Sequence, residues 1–386
     1  MSGVDPNLPS PPDSRDRPRV GVDDWVASAE ERLDRRRGVA GAVERTWKGL
    51  PVALRFIVLT GPIALLPLLT SNLYVIRVGT NTLIYMLLAL GLNIAVGFAG
   101  LLDLGYVAFF GFGAYVYAIL SSGHFNWHLA TWKSIPIVVA LSALLGVLLG
   151  LPALRLSGLH LALITLMFAA AITLVLSKND FPNGGHGFWG VGFQTEAASP
   201  RRPNVGSTDP GYYRYSVIVA AVMFLLVLVH VRGKPGRAWA SIRESESAAL
   251  AAGVNITFYK LWAFGLASFV TGVAGGLIAG DVHLTVTQFP TADSLILLAV
   301  VLMGGAYSLW GAVIAGLFFK ELPDLVEHDI GLAHEFATIL FGIGVLQVLT
   351  TAPRGLAEQF PKDMRNLGRL LFGLARRLVP AREPAG

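Results

Sequence analysis

The sequence of 386 residues contains no cysteine, and only 14% of its residues are charged. The absence of cysteine excludes disulfides, thiolate chemistry and metal sites built on cysteine. A G-x-x-x-x-G-K-[ST] phosphate-binding loop is also missing, so the chain does not bind ATP by that route. We find neither a nucleophile–base pair nor a metal constellation, and therefore predict no enzymatic activity and no metal site.

The low charge accompanies a high apolar content, which reaches 54% of all residues. A soluble domain typically carries about 25% charged residues. The composition predicts an all-α polytopic integral membrane protein with about 8–10 transmembrane or re-entrant helices, because a bilayer crossing needs roughly 20 apolar residues. Ten apolar segments are predicted, near residues 53–71, 79–98, 104–121, 134–154, 159–177, 214–232, 259–280, 292–304, 308–323 and 335–351. The eighth is short, so it and the ninth either cross separately or form a re-entrant pair.

Lysine and arginine concentrate in residues 1–50, in the loop at 232–260 and in the tail at 354–386. With ten crossings these regions share one side, which the positive-inside rule assigns to the cytoplasm. Both termini are therefore predicted to be cytoplasmic. The net charge of +5 is a topology signal, and no nucleic-acid partner is expected. Because residues 1–50 lack an apolar core, we expect no cleavable signal peptide.

The sequence divides into three predicted regions. Residues 1–50 form a cytoplasmic extension, disordered at first and then an amphipathic helix; residues 51–353 form the transmembrane domain; and residues 354–386 form a basic tail with a second amphipathic helix. Both amphipathic helices suit contact with membrane lipid on an anionic surface. For the first of them, a short solvated helix is an equal alternative.

The stretch from Asn93 to Tyr115 is apolar but rich in glycine, and a lone acid, Asp103, lies in its middle. Glycine lets helices approach closely or lets the backbone break, so the stretch is either a tightly packed helix pair or part of a path for solute. For Asp103 we predict a cap of the following helix near the inner boundary. The candidate path residues are Asn93, Gly97, Gly100, Gly105, Gly111 and Gly113, together with Gly304 and Gly305 from a second small-residue stretch.

The polar loop at residues 233–258 contains a short predicted helix. Its core is the run AALAA, and Gly253 is placed to end the helix. Such a helix either docks into another protein or only links two spans. The residues that would serve docking are Arg243, Glu244, Glu246, Ala248, Ala249 and Gly253.

A second glycine-rich loop, FPNGGHGFWGVGF, follows the fifth apolar segment and is predicted to lie outside. Its glycines either form turns or bring backbone N–H groups close to a ligand or partner. The candidate contact residues are Gly184, Gly185, His186 and Trp189.

Four blocks carry a resemblance to a known family: LNIAVGFAGLLDLGYVAFFGFGAY, LRLSGLHLALITLMF, GRAWASIRESESAALAAGVNITFYKLWAF and MGGAYSLWGAVIAG. In this order they resemble blocks of the branched-chain amino acid ABC permeases of the LivM type, whose close relatives carry urea and amides. The docking helix is also similar to the Glu-Ala-Ala coupling motif of ABC importers. It departs from that motif because Glu246 is followed by Ser247 and stands one residue further from the glycine.

The resemblance implies a permease subunit that forms half of a transmembrane pathway for branched-chain or related amino acids and works by alternating access. Its implied partners are a second homologous permease, two cytoplasmic ATPase subunits and an extracytoplasmic solute-binding protein. ATP and Mg would be bound by the partner subunits, with no cofactor in this chain. The implied location is the plasma membrane of a bacterium. Permeases for urea, short amides or another small solute are one alternative, and a stand-alone secondary transporter or channel is another.

Overall fold

A computed structural model describes residues 72–121, 127, 129, 131–153, 156, 158–178, 210–281, 284–285, 288–322, 334–351, 355–357 and 359. The predicted first segment, the N-terminal region, all of the tail except residues 355–357 and 359, and the candidate contacts of the outer loop lie outside these residues. The α-helices, numbered in chain order, are α1 Leu73–Leu92, α2 Tyr106–Ser121, α3 Thr131–Ala153, α4 Leu159–Lys178, α5 Pro210–Arg232, α6 Lys234–Glu244, α7 Glu246–Ala251, α8 Ile256–Asp281, α9 Ala292–Gly304, α10 Leu309–Gly316 and α11 His334–Thr351. Two π-helices continue α1 and α10, at Asn93–Phe98 and Leu317–Glu321.

These helices confirm the predicted all-α membrane class. Five of them, counted over the described ranges, are long and apolar enough to cross a bilayer: Leu73–Phe98, Lys133–Pro152, Leu159–Ser177, Pro210–Arg232 and Ile256–Gly280. The helices α2 and α9 and the stretch Leu309–Phe319 are shorter apolar helices.

The helix α1 begins at Leu73, earlier than the predicted start near residue 79. Polar residues in its first turns lower the mean hydropathy of that stretch, but some of their side chains form hydrogen bonds within the helix itself. The Asn72 side chain accepts the N–H of Tyr74 and caps the helix, and the buried Thr80 hydroxyl donates to the Ile76 carbonyl 2.9 Å away. Such local bonds satisfy a hydroxyl inside an apolar bundle.

The helices α1 and α8 form the buried centre, whereas α3, α4 and α5 expose apolar side chains on the outside of the bundle. Apolar outer faces of this kind suit a bilayer. The crossing of α2 and α8 is close because both helices present glycine there. A Cβ on Gly113 would lie 2.4 Å from the carbonyl oxygen of Gly272. Small residues permit this approach, as is common between membrane helices.

From Phe289 to Asp293 the chain runs along α2 toward the start of that helix. The ring of Phe289 lies edge-on to Phe110 at 5.3 Å and contacts Gly111. Further along, the Tyr106 hydroxyl donates to the backbone carbonyl of Asp293, 2.7 Å away. The start of α9 thus lies beside the start of α2.

Candidate functional site

The π-helix at Asn93–Phe98 lies where the glycine-rich stretch begins. Its wider turn shifts the backbone bonding, so that the N–H of Ala99 donates to Ile94 five residues earlier. Isolated π-helical turns occur frequently at functional sites. The buried Asn93 amide donates to the carbonyl of Ser308, 2.9 Å away. This bond joins the π-helix to the short connection between α9 and α10.

The connection at residues 304–308 is a break that fits against the π-helix. Gly305 has a φ of 115°, which L side chains rarely adopt. A Cβ on Gly97 would fall 1.7 Å from the carbonyl oxygen of Ala306, so that only glycine fits. Gly355, with a φ of 83°, closes the other side, since its Cβ would lie 2.3 Å from the Cα of Gly305.

Arg243, at the end of α6, points into this cluster. Its Nη1 donates to the carbonyl oxygen of Gly97 at 2.8 Å, and its guanidinium lies 4.7 Å from the ring centre of Tyr307. Gly100, with a φ of 71°, lets the chain pass closely, because a Cβ there would be 2.7 Å from the Arg243 Cγ. We call this cluster the junction: the π-helix Asn93–Phe98, the break at 304–308, and Arg243.

Asp103 is buried in the link between the π-helix and α2. Its Oδ1 accepts the N–H of Gly105 at 2.8 Å, and the neighbouring N–H of Leu104 donates to the Thr165 hydroxyl. Burial raises the pKa of Asp103 to about 6, opposed by the bonds from Gly105 and Thr165. The predicted N–H bond is present, but it comes from Gly105, before α2 begins. The residue is enclosed by protein, with 2% of its surface exposed, and its position near the inner boundary stays a prediction.

The remaining path candidates have a different structural role. Gly111 faces Phe289, Gly113 faces α8, and a Cβ on Gly105 would be 2.8 Å from the Thr165 carbonyl oxygen. These three glycines therefore serve close contacts within the bundle. The junction instead brings together Gly97, Gly304, Gly305 and, through Arg243, Gly100.

The docking loop forms two short helices, α6 and α7. The Ser245 hydroxyl accepts the N–H of Ala248 and caps α7 at its start. Gly253 follows α7 with a φ of 78°, and the N–H groups of Gly253 and Val254 donate to Leu250 and Ala249 respectively. This pair of hydrogen bonds is the common way in which a helix ends at a glycine. The terminating glycine is thus observed where the sequence predicted it.

The candidate docking residues point in different directions. Ala249 is buried, whereas Arg243, Glu244, Ala248 and Gly253 are exposed; of these four, Arg243 reaches the junction with its guanidinium. Leu250, which the sequence reasoning did not select, is 65% exposed. The helix α7 begins with Glu and Ser, and its exposed leucine is available to a protein partner.

Glu246 is held within the chain. Its Oε1 lies 2.7 Å from the Nζ of Lys260, a residue that is buried in the first turns of α8. The buried Trp239 of α6 donates from Nε1 to the carbonyl of Tyr259. These two contacts fix α6 and α7 to the start of α8. Sequence reasoning did not identify Lys260, although a cation at the start of an apolar segment is a signal for a nearby acid.

The described part of the chain contains no group of three or more His, Asp or Glu that could hold a metal ion. The outer-loop candidates Gly184, Gly185, His186 and Trp189 lie outside it.

Residues 74–349 match the family model described as branched-chain amino acid transport system / permease component. The chain is 31% identical over 301 residues to the high-affinity branched-chain amino acid transport system permease protein LivM of Salmonella typhimurium, with 73% of this chain and 69% of that protein covered. It is 30% identical to the protein of the same description in Escherichia coli, with the same coverage. A probable branched-chain amino acid transport permease protein LivM of Methanocaldococcus jannaschii is 25% identical over 247 residues, which cover 58% of this chain and 68% of that protein.

No solved structure matches the chain. The family match spans most of the sequence and contains every described helix that is long and apolar enough to cross a bilayer, apart from the first residue of α1. The chain belongs to the branched-chain amino acid transport permease family.

Proposed function

We propose that this chain is the permease subunit of an ATP-binding-cassette importer for branched-chain or related amino acids. It forms half of the transmembrane pathway in the plasma membrane of a bacterium, and a second homologous permease forms the other half. Two cytoplasmic ATPase subunits bind and hydrolyse ATP with Mg. An extracytoplasmic binding protein delivers the solute, and the outer loop around His186 contacts that protein.

The observation that carries the proposal is the exposed edge of α6 and α7. Two short helices are fixed to the membrane bundle on one side and present Glu244, Ala248 and the 65% exposed Leu250 on the other. An apolar side chain beside small and acidic residues is typical of a compact docking surface, in which a central apolar contact is surrounded by polar groups.

Transport then follows alternating access. Closure of the ATPase dimer pushes on α7, and the Glu246–Lys260 pair passes the push to α8, the most buried long helix of the bundle. Two rigid attachments, at Trp239 and at Lys260, make the docking helices move with α8 rather than bend away from it. The central site for solute needs little affinity, because the binding protein supplies it.

The test is co-purification of the complex from its native host by a tag on this chain. Leu250→Asp places a charge in the docking surface, and we expect the ATPase subunits to be lost from the purified complex. Asn255→Asp is the matched control: it adds the same charge nearby, and its carboxylate keeps the bond that the Asn255 Oδ1 accepts from the Phe258 N–H. Full retention of ATPase subunits by Leu250→Asp would refute the proposed docking surface.

A further inference from the structure

We propose that Arg243 is the positioning residue that transmits movement of the docking helices to the two helix breaks of the junction. The inference rests on the proposed function, since it presumes that a partner moves α6 and α7. It adds a route from the docking surface to the membrane interior, separate from the attachment through Lys260.

Arg243 contacts three separate parts of the chain at the junction. Its guanidinium donates to the Gly97 carbonyl at 2.8 Å and lies 4.7 Å from the ring centre of Tyr307. Its aliphatic stem lies against Gly100, where only a residue without Cβ fits. One side chain of the docking helix thus holds the π-helix, the link that follows it, and the break at 304–308.

The two breaks are also tied to each other. The Asn93 amide donates to Ser308 at 2.9 Å, and Gly97 abuts the Ala306 carbonyl. A displacement of Arg243 therefore moves the π-helix and the break together. A π-helix is a suitable receiver, because its wider turn can revert to an α-helical turn and so shift the register of the residues that follow.

The chemistry of the site favours arginine over lysine. The planar guanidinium donates a hydrogen bond in its plane while its face lies over an aromatic ring, which an ammonium group does not reproduce. Hydrogen bonds that involve a charged group are also stronger than neutral ones. The docking helix is therefore joined to the junction by a charge-assisted hydrogen bond and a contact with an aromatic ring.

The alternative is that Arg243 merely stabilises the fold. The two roles differ in one measurable ratio, the solute taken up per ATP hydrolysed. A purely structural residue lowers the amount of assembled complex, so uptake and hydrolysis fall in equal proportion. A transmitting residue leaves the docked ATPases active and lowers uptake alone.

The experiment uses the complex purified from the native host with its ATPase subunits, reconstituted into proteoliposomes with the binding protein and labelled leucine. We expect Arg243→Gln and Arg243→Lys to retain the ATPase subunits and to lower the uptake-to-hydrolysis ratio by about tenfold or more for Gln, in line with loss of a hydrogen bond to a charged group. Tyr307→Leu should lower the uptake-to-hydrolysis ratio. Tyr307→Phe keeps the aromatic ring and should have the ratio of the wild type.

Arg237→Gln is the matched control, because it makes the same substitution at an exposed arginine of the same helix. We expect its ratio to equal that of the wild type. An unchanged ratio in Arg243→Gln, or an equal fall of uptake and hydrolysis, would overturn the inference while leaving the proposed function intact if Leu250→Asp still loses its ATPases. If no ATPase co-purifies with the wild-type chain, the proposed function and this inference both fall.

Discussion

Gly97 is the residue at which the backbone of the junction leaves least room. A Cβ at this position would lie 1.7 Å from the carbonyl oxygen of Ala306, and the contacting atom belongs to the backbone rather than to a side chain that can rotate away. The glycine is therefore required by contact between two breaks and not by its own dihedral angles.

Substitution of Gly97 by alanine should destabilise the protein. Overpacking in a tight site typically costs about 1–3 kcal/mol, and we expect Gly97→Ala at the upper end of that range because backbone must move. The measurement is the thermal midpoint of the detergent-solubilised protein, followed by tryptophan fluorescence. Gly342→Ala is the control, since a Cβ there meets nothing within 4 Å. It lies inside α11, where alanine favours the helix. Equal midpoints for the two variants would contradict the described junction.

Asp103 should give the stability a specific pH dependence. Burial raises its pKa from 3.8 to about 6, so the folded state keeps the proton to a higher pH than the unfolded state does. The stabilising contribution is therefore complete below pH 3.8 and is lost as the pH rises through about 6, a difference of up to about 3 kcal/mol.

The variant Asp103→Asn tests this because its amide oxygen can still accept the Gly105 N–H while the charge is gone. We expect the variant to gain stability relative to the wild type on going from pH 5 to pH 8. Other titrating groups affect both proteins equally, so the difference between the two midpoints is the informative quantity. A difference that does not change with pH would show that the Asp103 carboxyl is not buried as described.

At the scale of elements, the orientation of α7 depends on an ion pair with unequal burial. The side chain of Lys260 is 8% exposed and that of Glu246 is 52% exposed. Removing the acid leaves a buried cation without its partner, whereas the acid alone can turn to solvent. Loss of the partner therefore costs more free energy at Lys260 than at Glu246.

We expect Glu246→Gln to cost about 1–2 kcal/mol, less than a fully buried pair because the acid is half exposed. The exchange of both charges, Glu246→Lys with Lys260→Glu, should recover part of the loss. Chemical denaturation of the solubilised protein measures Glu246→Gln, the double exchange and its two single changes against the wild type. If the exchange is as unstable as the sum of its single changes, the two side chains do not pair.

Much of this organisation was accessible from the sequence. The apolar segments predicted the helices from α1 onward, and Gly253 marked the end of α7, because both signals are local. The directions of Arg243 and Glu246 were not accessible. Arg243 meets a residue 146 positions away and Asn93 one 215 positions away, and hydrophobic periodicity contains no information about such pairs.

The short helix α9 shows a second limit. Its length was predicted, but the sequence left open whether it crosses alone or turns back. The answer depends on which part of the bundle the residues before α9 pack against, and Phe289 packs against the distant helix α2. Likewise, the burial of Asp103 follows from α4, whose Thr165 covers the link from a distant part of the chain.

At the scale of the whole molecule, the predicted orientation can be tested directly because the chain has no native cysteine. Single cysteines can be introduced without background labelling. With both termini in the cytoplasm, we expect a cysteine at His186 to react with a membrane-impermeant maleimide added outside intact cells, and one at Ser245 to react only after the cells are opened. The reverse pattern would invert the topology and place the docking helices on the wrong side for an ATPase.

The most direct test of the transport role is the uptake of labelled leucine into proteoliposomes that contain the complex purified through this chain, with its binding protein outside and ATP inside. We expect uptake that requires ATP and is abolished by Leu250→Asp, with isoleucine and valine competing. Uptake that is unaffected by Leu250→Asp would contradict the proposed docking surface. Leucine uptake that proceeds equally without ATP would contradict the assignment of this chain as the permease of an ATP-driven importer.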